Sequence, residues 1–179
     1  RIKAERLFQW EQVQYLCIRN LTGRISVTHC KEPGVFVKAN IRLYDRARNT
    51  PNLHRDMLDA LTTGHYQDGM VEMETVRSAV PSTIEIWVDY YISINNALRL
   101  KLVNTNGDIS INGFSNELEL LTHNGDIHVE DSSGQIHAQT TNGRIRLHDV
   151  EGDVFLRNEN GNIYTRIFCG ELNAATENG

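Results

Sequence analysis

The sequence predicts an all-β fold: a short single-stranded β-solenoid with 18-residue rungs and a helix-containing insertion. Three observations predict it: Asn-Gly pairs recur every 18 residues, a second turn signal recurs ten residues after each Asn, and apolar residues alternate with polar ones between them. Turn signals at a fixed period mark repeated corners, so each repeat has room for two short strands. The corners begin at Asn106, Asn124, Asn142, Asn160 and Asn178.

The strands are predicted by apolar residues that recur at equivalent positions of successive repeats. Each such set, called a column, has members of similar size. Within each strand these residues alternate with polar ones, as expected for a strand with one buried face. Stacked rungs about 4.8 Å apart require such matching, because each side chain packs on its equivalents above and below. The columns are Ile109, Ile127, Ile145, Ile163; Leu118, Ile136, Val154, Leu172; and Leu120, Ala138, Leu156, Ala174.

The repeated corner has a physical explanation. Glycine adopts the positive φ of a tight corner at little cost, and asparagine tolerates it better than most residues. Asparagines at equivalent corners also stack as a hydrogen-bonded ladder. Five identical corners therefore indicate that these asparagines are structural.

The chain reads as one continuous domain in two parts. Residues 1–103 hold a degenerate first rung, a helix-bearing insertion at about 45–80 and lead-in strands, and residues 104–179 hold the regular repeats. In the first part, Thr22-Gly23 echoes the corner, and Gly34–Val37 echoes the second half of a rung.

The insertion predicts a helix over about 51–63. Thr50 suits the N-cap, Pro51 the first helical position, and Gly64 the stop after the last turn. Leu53, Met57 and Leu61 then share one face, which we expect to pack on the solenoid. A covering element at this end protects unpaired strand edges.

Composition and charge exclude several classes of function. No apolar run approaches the length of a membrane span, so a membrane contact requires a segment absent from this chain. The chain begins at Arg1 rather than Met, which leaves a removed signal peptide or anchor open. Residues 104–179 carry 12 acidic and 4 basic side chains, a balance that argues against nucleic acid as a partner.

No cofactor or metal is predicted. The sequence has no CxxC pair, phosphate-cradling glycine loop or dinucleotide fingerprint. Cys17 and Cys30 lie in neighbouring strand-like segments, so a disulfide in an oxidising compartment and two buried thiols are the alternatives. Buried thiols are favoured, because free cysteine behaves as a small apolar residue.

The segment Val103–Ile111 resembles the repeat of a bacterial putative-adhesin family, a domain of unassigned function with Thr-x-x-Gly-Asp-Ile units. The degenerate copy at Leu21–Ile25 and the long strand at Ile84–Ile94 resemble that family too. The resemblance implies a right-handed solenoid and an extracytoplasmic location, in the cell envelope or secreted. It supplies no catalytic residues.

The aspartate of the repeat unit varies along the stack. Asp108 and Asp126 keep it, whereas Arg144 and Asn162 replace it in later copies. Two aspartates on adjacent rungs can recruit a cation, but calcium takes 6–8 oxygen ligands. A solvated corner in which Arg144 offsets Asp126 is favoured.

Two groups of outward residues are candidate sites. Glu130, Asp131, His148 and Asp149 cluster at the second corner, and carboxylates beside a histidine can perform acid–base chemistry on a sugar. Because no long loop interrupts the repeats, a polar corner is favoured over a catalytic one. Exposed aromatic rings on a sheet face bind sugars or proteins, and the candidates are Phe155 and Tyr164.

These observations favour a non-enzymatic envelope or cell-surface module that acts as a binding or assembly scaffold for a protein or a surface glycan. One alternative is a carbohydrate-active enzyme of β-helix type, a polysaccharide lyase or hydrolase. Another is self-assembly into a homo-oligomer, because the sequence stops at Asn178-Gly179, where an open strand edge can pair with another chain.

Overall fold

The computed structural model describes residues 2–46, 55–95 and 97–179, and most of them lie in β-strands. The described residues form sixteen strands, one short α-helix and a 3₁₀ turn at Arg77–Ala79. In chain order the elements are β1 Ile2–Trp10, β2 Tyr15–Thr22, β3 Ile25–His29, β4 Val35–Asp45, α1 Arg55–Leu61, β5 Thr62–Gln67, β6 Met70–Thr75, β7 Ile84–Ile94, β8 Arg99–Asn106, β9 Ile109–Asn112, β10 Leu118–Asn124, β11 Ile127–Ser133, β12 Ile136–Asn142, β13 Ile145–Glu151, β14 Val154–Asn160, β15 Ile163–Cys169 and β16 Leu172–Asn178.

The strands form two eight-stranded sheets. The first sheet has the order β1-β4-β7-β3-β9-β11-β13-β15, and the second has the order β5-β6-β2-β8-β10-β12-β14-β16. From β8 onwards successive strands alternate between the sheets, so each turn of the chain adds one parallel strand to each. The all-β solenoid predicted from the repeat is confirmed.

Equivalent residues of successive repeats pair with each other, as the apolar columns require. Leu118 pairs with Ile136, and Ile127 pairs with Ile145. The inward residues of the middle rungs are buried and form one continuous core between the two sheets. In β16 the column is exposed, with Leu172 47% accessible, because β14 is the only strand that this strand pairs with in the described chain.

Glycine is required at the corners because the backbones of neighbouring rungs approach each other closely there. At Gly107 the φ angle is +141°, and an added Cβ would lie 2.0 Å from the carbonyl oxygen of Gly23. Gly125 approaches Gly107 in the same way, at 2.1 Å. Because the rungs are one strand spacing apart, no side chain fits between two corners.

The corner asparagines form a continuous chain of side-chain hydrogen bonds, here called the Asn ladder. Each Nδ2 donates to the Oδ1 of the asparagine one rung earlier, at 2.9 to 3.0 Å, and the donors are Asn124, Asn142, Asn160 and Asn178. The first member, Asn106, donates instead to the carbonyl oxygen of Leu21 at 3.4 Å. The ladder joins the corners of successive rungs outside the core.

A second column of hydrogen bonds, here called the buried column, lies on the inner side of the corners. Its donors stand two residues before each asparagine of the ladder. Thr122 Oγ1 donates to the carbonyl of Gly107 at 3.1 Å, and Thr140 Oγ1 donates to that of Gly125 at 3.0 Å. The same position donates in other rungs from Asn20, Asn104, Asn158 and Thr176. These side chains satisfy corner carbonyls that the strand pairing leaves over.

Replacing Thr140 by valine is expected to lower the free energy of unfolding by about 1–3 kcal/mol. Valine keeps the shape of the fully buried side chain but leaves the Gly125 carbonyl without its donor. Urea denaturation measures the loss. The matched control is Thr141→Val on the next, half-buried residue, where we expect a change within about 0.5 kcal/mol. Equal effects at both positions would contradict the role of the buried column.

Two rungs precede the regular stack. β2 and β3 form one of them, with Thr22 at the register position of Asn106. β6 and β7 form another, paired in parallel with β2 and β3. The prediction that Gly34–Val37 forms the second half of a rung is wrong, because β4 runs antiparallel to both β1 and β7. β4 and β7 are each eleven residues long and pair along their whole length.

The predicted helix is confirmed over Arg55–Leu61, and the predicted start at Thr50 and Pro51 lies outside the described residues, as does Leu53. Leu61 is buried in the core, and Leu58 packs against it. The prediction that Gly64 stops the helix is wrong. Gly64 lies within β5, because the chain enters the sheet at Thr62 by pairing with β6.

The three cysteines are free. Cys17 is buried in β2 of the second sheet, where burial raises the pKa of its thiol. Cys30 follows β3 of the first sheet and is half-buried, and Cys169 is exposed. The interpretation as a buried thiol therefore holds for Cys17 and not for Cys30.

In the part of the chain that the structure describes, no helix is both long enough and apolar enough to cross a membrane.

Candidate functional site

The predicted second-corner cluster is brought together on neighbouring rungs. His148 Nδ1 lies 3.3 Å from Asp149 Oδ2 and 3.8 Å from Glu130 Oε1. Arg166 Nε lies 4.0 Å from Asp149 Oδ1. The side chains of Glu130, His148 and Asp149 are 35–47% exposed, so water screens their charges. A protonated His148 would pair with both carboxylates.

The presence of Asp131 in this cluster is explained by its backbone conformation. It has φ of +48°, and Asp149 one rung later has φ of +53°. Gly113 occupies the equivalent place one rung earlier, with φ of +72°. Aspartate tolerates this left-handed conformation better than most residues, so the bend of the rung accounts for both aspartates.

The two aromatic candidates lie apart from each other. Phe155 is 38% exposed on the second sheet, with its ring centroid 4.7 Å from that of His137. Tyr164 is 53% exposed on the first sheet, where its hydroxyl accepts a hydrogen bond from Asn162 Nδ2 at 3.0 Å. The predicted candidates therefore do not form one site.

The aspartates that follow the corners join adjacent rungs. Asp108 Oδ1 accepts the backbone N–H of Asp126 at 3.0 Å, and Asp126 Oδ1 accepts that of Arg144 at 2.8 Å. Arg144 Nε also lies 3.8 Å from Asp126 Oδ2. These carboxylates are thus engaged within the stack. In the described chain, no group of three or more His, Cys, Asp or Glu is placed to hold a metal ion.

A further cluster, which sequence reasoning missed, lies on the outer face of the first sheet. Arg42 on β4 pairs with Asp89 on β7, and its guanidinium carbon lies 5.2 Å from the ring centroid of Trp87. Trp87 Nε1 donates to Asp89 Oδ1 at 3.1 Å, and the N–H of Arg24 donates to the same oxygen at 2.9 Å. We call Arg42, Trp87 and Asp89 the Trp87 platform.

The platform stands where the corner column of the solenoid ends. A Cβ on Gly107 would meet the carbonyl of Gly23, and a Cβ on Gly23 would meet the carbonyl of Val88 at 2.1 Å. Val88 therefore takes the place of the corner glycine, Trp87 that of the ladder asparagine, and Asp89 that of the corner aspartate. The repeating rule is broken here, as is common at functional sites.

Buried hydrogen bonds anchor β7 on the inner side of the platform. Tyr90, the next inward residue, is buried, and its hydroxyl lies 2.9 Å from Thr75 Oγ1. Thr75 Oγ1 in turn donates to Asn20 Oδ1 at 2.9 Å. Burial raises the pKa of Tyr90 to about 12, so its phenol stays protonated near neutral pH.

Several open depressions surround the platform. The largest, with a volume of about 700 Å³, is lined by residues of β4 and β7, the β6–β7 connection and the corner at Leu21 and Thr22. It shares Arg42 with two smaller depressions, which Asp89 lines as well. Exposed apolar and aromatic side chains lie on the same face of the first sheet, namely Leu7 at 71%, Trp87 at 41% and Tyr91 at 43%.

A family profile and several solved structures each match most of the length of this chain. The sequence profile described as Toastrack DUF4097 matches residues 22–174. Among solved structures, the chain is similar to a putative adhesin from Bacteroides fragilis NCTC 9343, with 10% identity and a TM-score of 0.41 over 98% of this chain and 95% of that chain. It is also similar to a putative cell adhesion protein from Clostridium sporogenes ATCC 15579, with 11% identity and a TM-score of 0.36 over 88% of this chain and 73% of that chain. No curated protein matches the chain.

Proposed function

The chain belongs to the Toastrack DUF4097 family, and from that premise we propose that it is a non-enzymatic binding scaffold of the cell envelope or cell surface. The observation that carries the proposal is the Trp87 platform. Its indole is exposed to solvent, yet it is held by a hydrogen bond to Asp89 and by the guanidinium of Arg42. A ring fixed in this way loses little conformational entropy when a partner covers it.

The solenoid supplies the rigidity that a binding scaffold needs. Parallel strands, the Asn ladder and the buried column of threonines and asparagines join every rung to the next. Aromatic side chains on such a surface bury large areas and dominate binding energies. The face of the first sheet that contains Trp87 and Tyr91 is therefore the proposed contact surface.

A location outside the cytoplasm is part of the proposal. The repeat's resemblance to the putative-adhesin family supports it. Pairing of copies through strand edges stays a prediction.

Binding to isolated bacterial cell walls tests the function. We expect wild-type protein to be retained, and Trp87→Ala to reduce retention about tenfold or more, as loss of a central aromatic anchor does. The matched control is Phe155→Ala, which removes an aromatic of similar exposure from the opposite sheet and should leave retention unchanged. Absence of retention, or equal losses for both variants, would contradict the proposal.

The same assay separates a scaffold from an enzyme. The observation that favours an enzyme is His148 Nδ1, which lies within 3.8 Å of carboxylate oxygens of both Asp149 and Glu130. A scaffold leaves the wall polymers at their original length. Release of shortened sugar chains that stops in Asp149→Asn would instead assign hydrolysis or elimination to the second-corner cluster.

A further inference from the structure

The groove beside the Trp87 platform exists because β7 is longer than its neighbour. The first residue of β3, Ile25, pairs with Tyr90, so the first half of β7 extends beyond β3. The chain corner at Leu21 and Thr22 passes beside this extension, and Ser82 lies at its start. The resulting groove of about 700 Å³ lies within the size range of small-molecule pockets.

The lining of the groove has an excess of positive charge. Three arginines line it against one carboxylate, that of Glu85. Arg46 pairs with Glu85, and Arg42 pairs with Asp89 of the platform. Arginine presents a planar fork of donors that matches a carboxylate, so the groove favours an anionic group.

Arg77 is the arginine best placed to bind that group. Its guanidinium donates to the backbone carbonyl of Ser82 at 3.0 Å and to those of Val80 and Pro81 at 3.4 Å. These acceptors are neutral, so they orient the guanidinium without cancelling its charge. Arg77 is also exposed, so a ligand can reach its charge and the Nε–H that these carbonyls leave over.

The wall of the groove that β4 and β7 form carries two aromatic residues. Arg42 pairs in register with Trp87, and Tyr44 pairs with Glu85, so two aromatic residues alternate with two charged ones on adjacent strands. The C–H face of a pyranose ring packs on an exposed indole, while its hydroxyl groups take up hydrogen bonds from charged side chains at the edge.

From this arrangement we infer that the groove binds an acidic oligosaccharide, with one pyranose ring on Trp87 and a carboxylate of the same oligosaccharide at Arg77. This inference rests on the proposed binding function and specifies its ligand class. A long polyanion such as nucleic acid is disfavoured, because the rungs beyond the groove, residues 104–179, carry 12 acidic side chains against 4 basic ones.

Isothermal titration calorimetry with trigalacturonic acid tests the inference. We expect binding that weakens as salt rises, and a loss of affinity of about tenfold or more in both Trp87→Ala and Arg77→Gln. Maltotriose, which has the rings without the carboxylates, and triglutamate, which has the carboxylates without the rings, should each bind at least about tenfold more weakly than trigalacturonic acid. The matched control variants on the opposite sheet are Phe155→Ala and Arg157→Gln.

Trp87→Phe keeps the inference testable if the alanine variant does not fold. It retains a ring but lacks the N–H that donates to Asp89, so affinity should fall between those of the wild type and Trp87→Ala. Circular dichroism establishes that each variant is folded.

Four outcomes would overturn the inference. Equal affinity for maltotriose would assign a neutral sugar, and equal affinity for triglutamate that is insensitive to Trp87 would assign charge alone. Absence of trigalacturonate binding, while retention on cell walls still depends on Trp87, would reject the acidic sugar and leave the scaffold function intact. Loss of wall retention as well would reject both.

Discussion

Replacing Gly107 by alanine is expected to lower the free energy of unfolding by more than about 3 kcal/mol, since it combines two separate penalties. The φ angle of +141° is unfavourable for any side chain, and the added Cβ would lie 2.0 Å from the carbonyl oxygen of Gly23. Because that oxygen belongs to the backbone of the neighbouring rung, relief requires the two rungs to separate. Chemical denaturation of the purified variant measures the loss.

Gly69 offers the matched control. It also has a positive φ, +78°, in the two-residue turn between β5 and β6. An added Cβ there makes only ordinary contacts, with the side chain of Gln14 at 3.4 Å and the carbonyl oxygen of Gln12 at 3.7 Å. Gly69→Ala should therefore cost only about 1–2 kcal/mol, the strain of a left-handed residue without a backbone clash. A similar loss in both variants would show that conformation alone, and not the contact between rungs, makes the corner glycines necessary.

Replacing Leu120 by alanine is expected to cost about 2–5 kcal/mol. Leu120 lies in β10, is 0% exposed, and has Leu102 and Ala138 as its register neighbours on the adjacent rungs. Rungs joined on both sides by backbone pairing cannot collapse easily into the resulting cavity. Thermal and urea unfolding, followed by circular dichroism, measure the loss.

The next residue, Leu121, allows the same substitution on the opposite face of the same strand. Its side chain is only half-buried, so Leu121→Ala should cost less than about 1 kcal/mol. The contrast between the two variants tests the alternation from which the fold was predicted. If Leu121→Ala were the more damaging change, the assignment of the inward face would be wrong.

The regular half of the fold could be predicted because its signal is repeated. Each Asn-Gly pair alone is compatible with a hairpin, but five in register are compatible only with stacked corners. Alternation then assigns the inward columns, and the buried column could have been found in the same way, because Thr or Asn precedes every Asn-Gly pair by two residues.

The first half could not be predicted to the same depth, because its pairing is not periodic. Gly34–Val37 has the local pattern of a rung, but the eleven residues of β4 pair antiparallel with β7 instead. Long-range pairing of this kind decides strand direction, and local sequence does not encode it. The Trp87 platform depends on that pairing, since it places Arg42 opposite Trp87. The predicted sites, by contrast, were found in the periodic half, where outward columns are easy to recognise.

The corners also affect deamidation, a slow chemical change of asparagine side chains. An asparagine followed by glycine is prone to lose its side-chain amide, because the glycine nitrogen attacks the side-chain carbonyl and a cyclic imide forms. In the stack that nitrogen is engaged: the N–H of Gly107 donates to the carbonyl of Asn124 at 2.8 Å, and that of Gly125 donates to the carbonyl of Asn142 at 2.9 Å. Pairing between rungs thus holds the attacking atom away from its target. Deamidation at these corners therefore records how often, and for how long, the rungs come apart.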